Sequence, residues 1–354
     1  MKTKLCGVLL FFSVCAVSQN FDASATVQLG GYYSTGAELP LWFYTNTFRS
    51  IGSESNFSSM LSGTSSYMLN ETSSLVASAS LYYRDNVANE LERGEAFLEF
   101  KNSWLAIVLG AKENTTVAQG LSSTNKNFLW SQNARPLPGV LLETAKPLKL
   151  SNTFSVDAAI AHYSLNDNRY VNNTRVHYKH LALVTRFNEN HTLTAKLQHV
   201  AQWAGTSPDF GQFPNDFKAY IDVFFAREGR ESGEVGEVFN AIGNHLGTYL
   251  LDYEFKTAWG LTSLYHEHPF EDGSGTRLAN FPDGVWGVYF QPENNSLVTG
   301  FLYEYVTTLD QSGSFGVGQD NYFGNRGYRS GWSYDSVIIG LPFIINDPEL
   351  QLDS

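Results

Sequence analysis

The stretch NHLGTYLLDYEFKTAWGLTSLYHEH, Asn244 to His268, decides the fold class. In its first arm Leu251, Tyr253 and Phe255 alternate with Asp252, Glu254 and Lys256, a period of two that no helix presents as one apolar face. A short turn at Thr257 to Gly260 sends the chain back, so the whole reads as a hairpin with one oily and one charged side. The connections on either side, about 204 to 246 and about 269 to 283, are long. A tight turn between two long loops is how antiparallel strands cross a membrane as an up-and-down barrel.

The same alternation extends in both directions. Ala25 to Ser34, Phe57 to Leu69, Leu75 to Arg84, Glu95 to Lys101, Trp104 to Ala111, Val140 to Thr144 and Thr153 to Tyr163 read as strands before the hairpin's neighbours, Thr174 to Phe187 and Thr192 to Trp203. Beyond it come Val285 to Phe290, Leu297 to Val306 and Tyr334 to Phe343. Short joints fall near 70, 102, 189, 258, 293 and 347. Long ones fall near 36 to 56, 85 to 93, 113 to 136, 164 to 173, 204 to 246, 269 to 283 and 307 to 333. One end carries turns and the other carries loops. The expected fold is all-β, a transmembrane antiparallel up-and-down barrel with about fourteen strands visible and short helical segments; the blander alternative is a soluble secreted sandwich or jelly roll.

Composition agrees. Aromatic residues make up 14% of the 354 and charged ones only 16%. No run of 18 apolar residues follows the N-terminal segment, which excludes a helical membrane protein. The net charge of −12, with no Lys/Arg cluster to neutralise phosphates, argues against a nucleic-acid partner. Residues 1–18 read as an export signal, with Lys2 and Lys4 basic, Gly7 to Val14 apolar, and Ala16-Val17-Ser18 as the small-residue cleavage pattern, leaving 19–354 as the barrel. A lipid anchor at Cys15 is the weaker alternative, because Phe12-Ser13-Val14 lacks the small residue expected before a lipidated cysteine. Both cysteines lie in this segment, so the mature chain has no disulfide framework.

One loop departs from β patterning. Phe217, Tyr220, Ile221, Phe224 and Phe225 recur at helical spacing between Asn215 and Arg227, with Asn215 placed to cap a short helix, either packed over the loops or plugging the barrel. The acidic stretch Glu228 to Glu237 after it reads as a solvated loop.

The densest polar cluster is His266, Glu267, His268, Glu271 and Asp272, where paired acids or a His-x-His metal site have to be weighed. On a strand the two histidines share a face with no third ligand at a recognisable spacing. No catalytic elbow, phosphate loop or zinc-cysteine pair occurs, so no cofactor and no metal is expected.

Several segments together carry a family resemblance: NARPLPGVLLETAKPLKL (133–150), LQHVAQWAG (197–205), NAIGNHLGTYLLDYEF (240–255), YHEHPFEDGSG (265–275), FPDGVWGVYF (281–290) and GQDNYFGNRGYRSGWSYDSVIIGLPF (318–343). In these the chain resembles the capsule assembly (Wzi-type) outer-membrane family, over nearly all of its mature length. The resemblance implies a large barrel with periplasmic helices, up to eighteen strands, whose surface acts as a lectin for capsular polysaccharide or exopolysaccharide. It also implies outer-membrane lipid and the barrel-insertion machinery as partners. Family members usually run on past the position of Ser354, and Gln351-Leu352-Asp353-Ser354 is not an aromatic-ended terminal strand, so a C-terminally truncated barrel is expected.

Loops on a rigid scaffold are where binding side chains sit. The expected polysaccharide contacts are Gln202, Trp203, Asp272, Asp283, Asp320, Asn321, Tyr322, Arg326, Tyr328, Arg329 and Trp332, aromatic faces stacking on sugar rings and polar groups bonding hydroxyls or carboxylates. A non-catalytic lectin is expected. The alternatives are a porin-like channel and a secreted glycoside hydrolase.

Overall fold

The structure is a computed structural model that describes residues 5–18, 20–227, 242–271, 273, 275–293, 297–311 and 321–344. The turn expected near 347 and the acidic stretch 228–237 lie outside the described residues. The chain divides into two compact units, Met1–Thr115 with Gln132–Lys146, and Thr116–Ser131 with Pro147–Ser354.

The first unit is a meander of β1 (Leu5–Val17), β2 (Phe21–Ser34), β3 (Phe57–Asn70), β4 (Ser73–Arg84), β5 (Leu91–Lys101), β6 (Leu105–Ala111) and β7 (Gly139–Thr144), with the single-turn helix α1 (Leu41–Tyr44) between β2 and β3. Each strand pairs antiparallel with the next. β1 covers the segment read as an export signal, extended against β2 from Leu5↔Ser34 to Val17↔Asp22. Asparagines close the tight joints: Asn70 Oδ1 accepts the Thr72 N–H, and Asn102 Oδ1 accepts those of Trp104 and Leu105.

The strands of this unit are amphipathic in an inverted sense. In β4, Ser78, Ser80, Tyr82 and Arg84 are buried while Leu81 is exposed; in β5, Glu99 is buried and Leu98 exposed. Buried charges are paired, as burial requires. Arg84 meets Glu92 at 2.6 Å, Arg49 meets the other Glu92 oxygen at 3.3 Å, and Lys112 meets Glu99 at 2.8 Å.

Just beyond β6, burial and then the charge of Glu95 push the Glu113 carboxyl up from 4.5 to about 7. A raised carboxyl pKa contributes stability in full below its unfolded value, and that stability is lost as pH rises through the folded value. Glu113→Gln is therefore expected to raise the urea midpoint at pH 8 and leave it unchanged at pH 4, measured on detergent-solubilised protein. An equal shift at both pH values would exclude this origin.

The second unit contains β8 (Leu148–Lys149), β9 (Phe154–Leu165), β10 (Thr174–Asn188), β11 (His191–Trp203), β12 (Thr206–Ser207), β13 (Gly211–Gln212), α2 (Phe217–Phe224), β14 (Asn244–Thr257), β15 (Gly260–Phe270), β16 (Gly284–Pro292), β17 (Phe301–Thr307), β18 (Ser333–Tyr334) and β19 (Val337–Ile338). Its main sheet runs β9, β10, β11, β14, β15, β16, β17, every pair antiparallel, with β8 added beside β9. The hairpin Asn244 to His268 forms as expected, Thr257 pairing Gly260 across a two-residue turn. All-β antiparallel up-and-down architecture is thus what the chain adopts. The strand expected over Tyr334 to Phe343 does not form. Asp335 (φ 51°) and Ser336 (φ 63°) make a tight turn that folds β18 onto β19, and the described residues after it are bends and a turn closed by the Ile344 N–H on the Leu341 carbonyl. The helix is present, but Asp216 caps it rather than Asn215, its Oδ1 accepting the Ala219 N–H at 2.7 Å.

The inversion recurs here. At the centre of β11, Leu197 is 44% exposed beside Gln198 at 0%; in β15, Leu264 is 42% exposed while Ser263, Tyr265 and Glu267 are buried. The polar face is covered by residues 116–131, a strap whose side chains and backbone reach β9, β10, β11, β14, β15 and β17. Lys126 Nζ reaches Asp252 at 3.0 Å and Ser263 at 2.7 Å. Asn127 and Gln198 exchange amide hydrogen bonds, and the Phe128 N–H donates to Glu267 at 2.6 Å. Glu304 accepts from Ser122, Thr124, Tyr265 and the Ser123 N–H. α2 packs on the opposite face, the side on which Leu197 lies, Ala219 and Val223 against Ala201, Trp203 and Ala204.

Candidate functional site

The long connections of the second unit leave β9, β11, β15 and β17 at the end where β10, β14 and β16 begin. Residues 321–341 fold across that end and are held there by buried polar groups. Trp332 Nε1–H donates to the Leu129 carbonyl at 2.6 Å, Tyr322 O–H to Asp283 at 2.5 Å, and Tyr328 O–H to the Ala204 carbonyl at 3.1 Å. Gln202 Nε2 donates to the Gly331 carbonyl and its Oε1 accepts from Asn244. Arg169, buried and paired with Asp167, donates to the carbonyls of Gly331 and Ser333.

Of the expected sugar contacts, therefore, Gln202, Trp203, Asp283, Tyr322, Tyr328 and Trp332 are buried, and their polar atoms or faces are turned to the protein itself. They hold the loop end in shape. Asn321 and Arg326 are exposed. Arg329 is partly exposed, 2.9 Å from Asp209 and 4.8 Å from the Tyr170 ring centroid. Asp272 and Asp320 lie outside the described residues. The weighed cluster at 266–272 is not a convergent site: His266 stacks on Trp286 at 3.7 Å, while Glu267 points to the strap from the opposite face of β15.

The structure brings together a different set. At the ends of β9 to β11 lies an open cleft of about 400 Å³, lined by Ser164, Asn173, Arg175, Thr206, Gln212 and Asn215. The strand ends supply Ser164 and Arg175, which pair across β9 and β10. The loop before β10 supplies Asn173 and the loop after β11 supplies Thr206, Gln212 and Asn215, folded back by the β12–β13 hairpin and tied to the neighbouring loop through an Asn172↔Thr206 bridge. Gly205, at φ +97°, permits that contact: a Cβ there would stand 2.7 Å from the Asn172 carbonyl oxygen. Gln212 Nε2 donates to the carbonyls of Gly205 and Phe213, which fixes the loop. The Arg175 guanidinium lies 5.3 Å from the Trp203 ring centroid. The motif LQHVAQWAG pointed to this place through Gly205, but Arg175 and the amides sit in no motif, and nothing in their spacing marks them.

Such a lining offers neutral hydrogen-bonding groups and one cation. A search of curated proteins finds no match. Among solved structures one similar chain is that of a Salmonella typhi OmpF complex with daunomycin, 9% identical, with 87% of this chain and 92% of that one covered and a TM-score of 0.36. Residues 27–343 match the capsule assembly protein Wzi family, and that span takes in the meander of both units and the loop end. With nearly the whole chain inside the match, the protein belongs to the capsule assembly protein Wzi family.

Proposed function

We propose that the protein sits in the outer membrane as a closed β-barrel and holds capsular polysaccharide or exopolysaccharide at its loop end, without catalysis. The observation that carries this reading is the inversion of both sheets, apolar side chains such as Leu81, Leu98, Leu197 and Leu264 outside and charged ones such as Arg84, Glu99 and Glu267 inside. Only a lipid solvent rewards that arrangement, and β10, β11, β14 and β15, at 11 to 15 residues, have the length to cross it. Residues 1–18 leave on export, so intact mass of membrane-extracted protein is expected to begin at Gln19. Lipid contacts the outer faces and the barrel-insertion machinery places them. An open channel would leave the polar face to water, whereas the strap covers that of the second unit, so a binding role is the better fit.

The test is retention of fluorescently labelled capsule by cells carrying the wild type or a variant with residues 206–212 replaced by a short Gly-Ser link. Loss of retention with normal heat-modifiable migration supports the reading. Full retention by the variant would remove this loop from the binding site.

A further inference from the structure

We propose that the cleft at the ends of β9 to β11 recognises a carboxylated sugar, a hexuronic acid residue of the polymer, with Arg175 binding the carboxylate. This rests on the reading that the loop end holds polysaccharide. Arg175 is partly buried, and among the described residues no carboxylate pairs with it; its one side-chain contact of note is the Trp203 ring. The unit's other arginines that are buried or half-buried at this end have an acid each, Arg169 with Asp167 and Arg329 with Asp209. In a chain of net charge −12, a partly buried guanidinium with no carboxylate beside it among the described residues is open to an anion that a ligand supplies.

The geometry fits that ligand. The Trp203 ring, its centroid 5.3 Å away, offers the guanidinium a cation–π contact, and the guanidinium fork of N–H donors matches a carboxylate with two parallel hydrogen bonds. Around it Ser164, Asn173, Thr206 and Asn215 are neutral groups of the kind that pair with hydroxyls. A volume of about 400 Å³ falls in the range of ~300–1,000 Å³ usual for small-ligand sites and admits one or two sugar rings. A single guanidinium balances one carboxylate charge; a phosphate monoester would bring a second negative charge into an acidic protein. Recognition here is through hydrogen bonds and one ion pair, because Trp203, Tyr328 and Trp332 are buried against the protein itself.

The experiment measures binding of the full chain in detergent to capsule purified from the same cells, before and after chemical reduction of its carboxylates to primary alcohols. The wild type is expected to bind the reduced polymer at least about tenfold more weakly, the loss of one charge-assisted pair. Arg175→Gln is expected to lose the same factor on native capsule and to bind reduced capsule as the wild type does, with Arg175→Lys in between. Equal wild-type binding to both polymers would overturn the carboxylate and leave the lectin reading standing. Binding to neither would overturn the lectin reading and this inference with it. Displacement of native capsule by glucose 1-phosphate, with no effect of carboxyl reduction, would assign the cleft to phosphate instead. If Arg175→Gln fails to assemble, the comparison of native and reduced capsule on the wild type still decides.

Discussion

Leu197→Arg is expected to destabilise the folded protein by about 2–4 kcal/mol in lipid vesicles, the range for a cation on the lipid face of a barrel near mid-membrane. Leu197 is the middle residue of the 13-residue β11, 44% exposed, and its cross-strand neighbours Leu181 and Tyr249 stand level with it. The prediction is sharp because the same change on a water-soluble protein would be nearly free: an exposed leucine gives up little on becoming arginine, usually within about 0.5 kcal/mol. Urea unfolding of vesicle-reconstituted protein checks it. A change inside that small window would mean that the apolar face meets water, and the outer-membrane reading would go.

Lys126→Ala is expected to cost about 3–5 kcal/mol, the usual penalty for removing one partner of a buried ion pair. Lys126 and Asp252 have side chains only 13% exposed each, and Lys126 also donates to Ser263 and lies 4.6 Å from the Tyr265 ring centroid. Its loss leaves the Asp252 carboxylate facing the strap with Ser263 as its remaining donor. Lys126→Met combined with Asp252→Leu removes both charges and should recover most of the loss. The readouts are the urea midpoint and protease cleavage within 116–131. A Lys126→Ala protein within about 1 kcal/mol of the wild type, with the strap still resistant, would show that the other strap contacts suffice.

What could be read without the structure follows from what leaves a period. The hairpin Asn244 to His268 and most strands were legible because a side chain on one face recurs every second residue, whichever solvent that face meets. Helix α2 was legible for the same reason at its own spacing; Asn215 and Asp216 are both capping residues, and only the backbone shows which one caps. The strap was not legible, because 116–131 has neither period: its order comes from single hydrogen bonds to strands far away in sequence. Tyr334 to Phe343 misled because its alternation is real, while the Asp335-Ser336 turn is decided by two left-handed residues. At the loop end, aromatic and polar residues in a glycine-rich stretch look alike whether they face a sugar or pack beneath it. Trp332 and Tyr322 were found as loop-end residues, but their burial could not be.

The strap also sets an order of events. It is synthesised before every strand it touches: Asn127 meets Gln198 across 71 residues, Lys126 meets Asp252 across 126, Phe128 meets Glu267 across 139, and Thr124 meets Glu304 across 180. Contacts of such separation are bought last in folding, since the loop must be closed before any of them forms. Residues 116–131 are therefore expected to seat late, after the strands they bond have paired. Glu304, which gathers Ser122, Ser123 and Thr124, closes the sequence. Because Leu129 anchors Trp332 and Ser131 holds the carbonyls of Ile339 and Gly340, the loop end takes its shape only after that step. A half-built molecule is expected to leave this end unshaped, and the seated strap marks one that is finished.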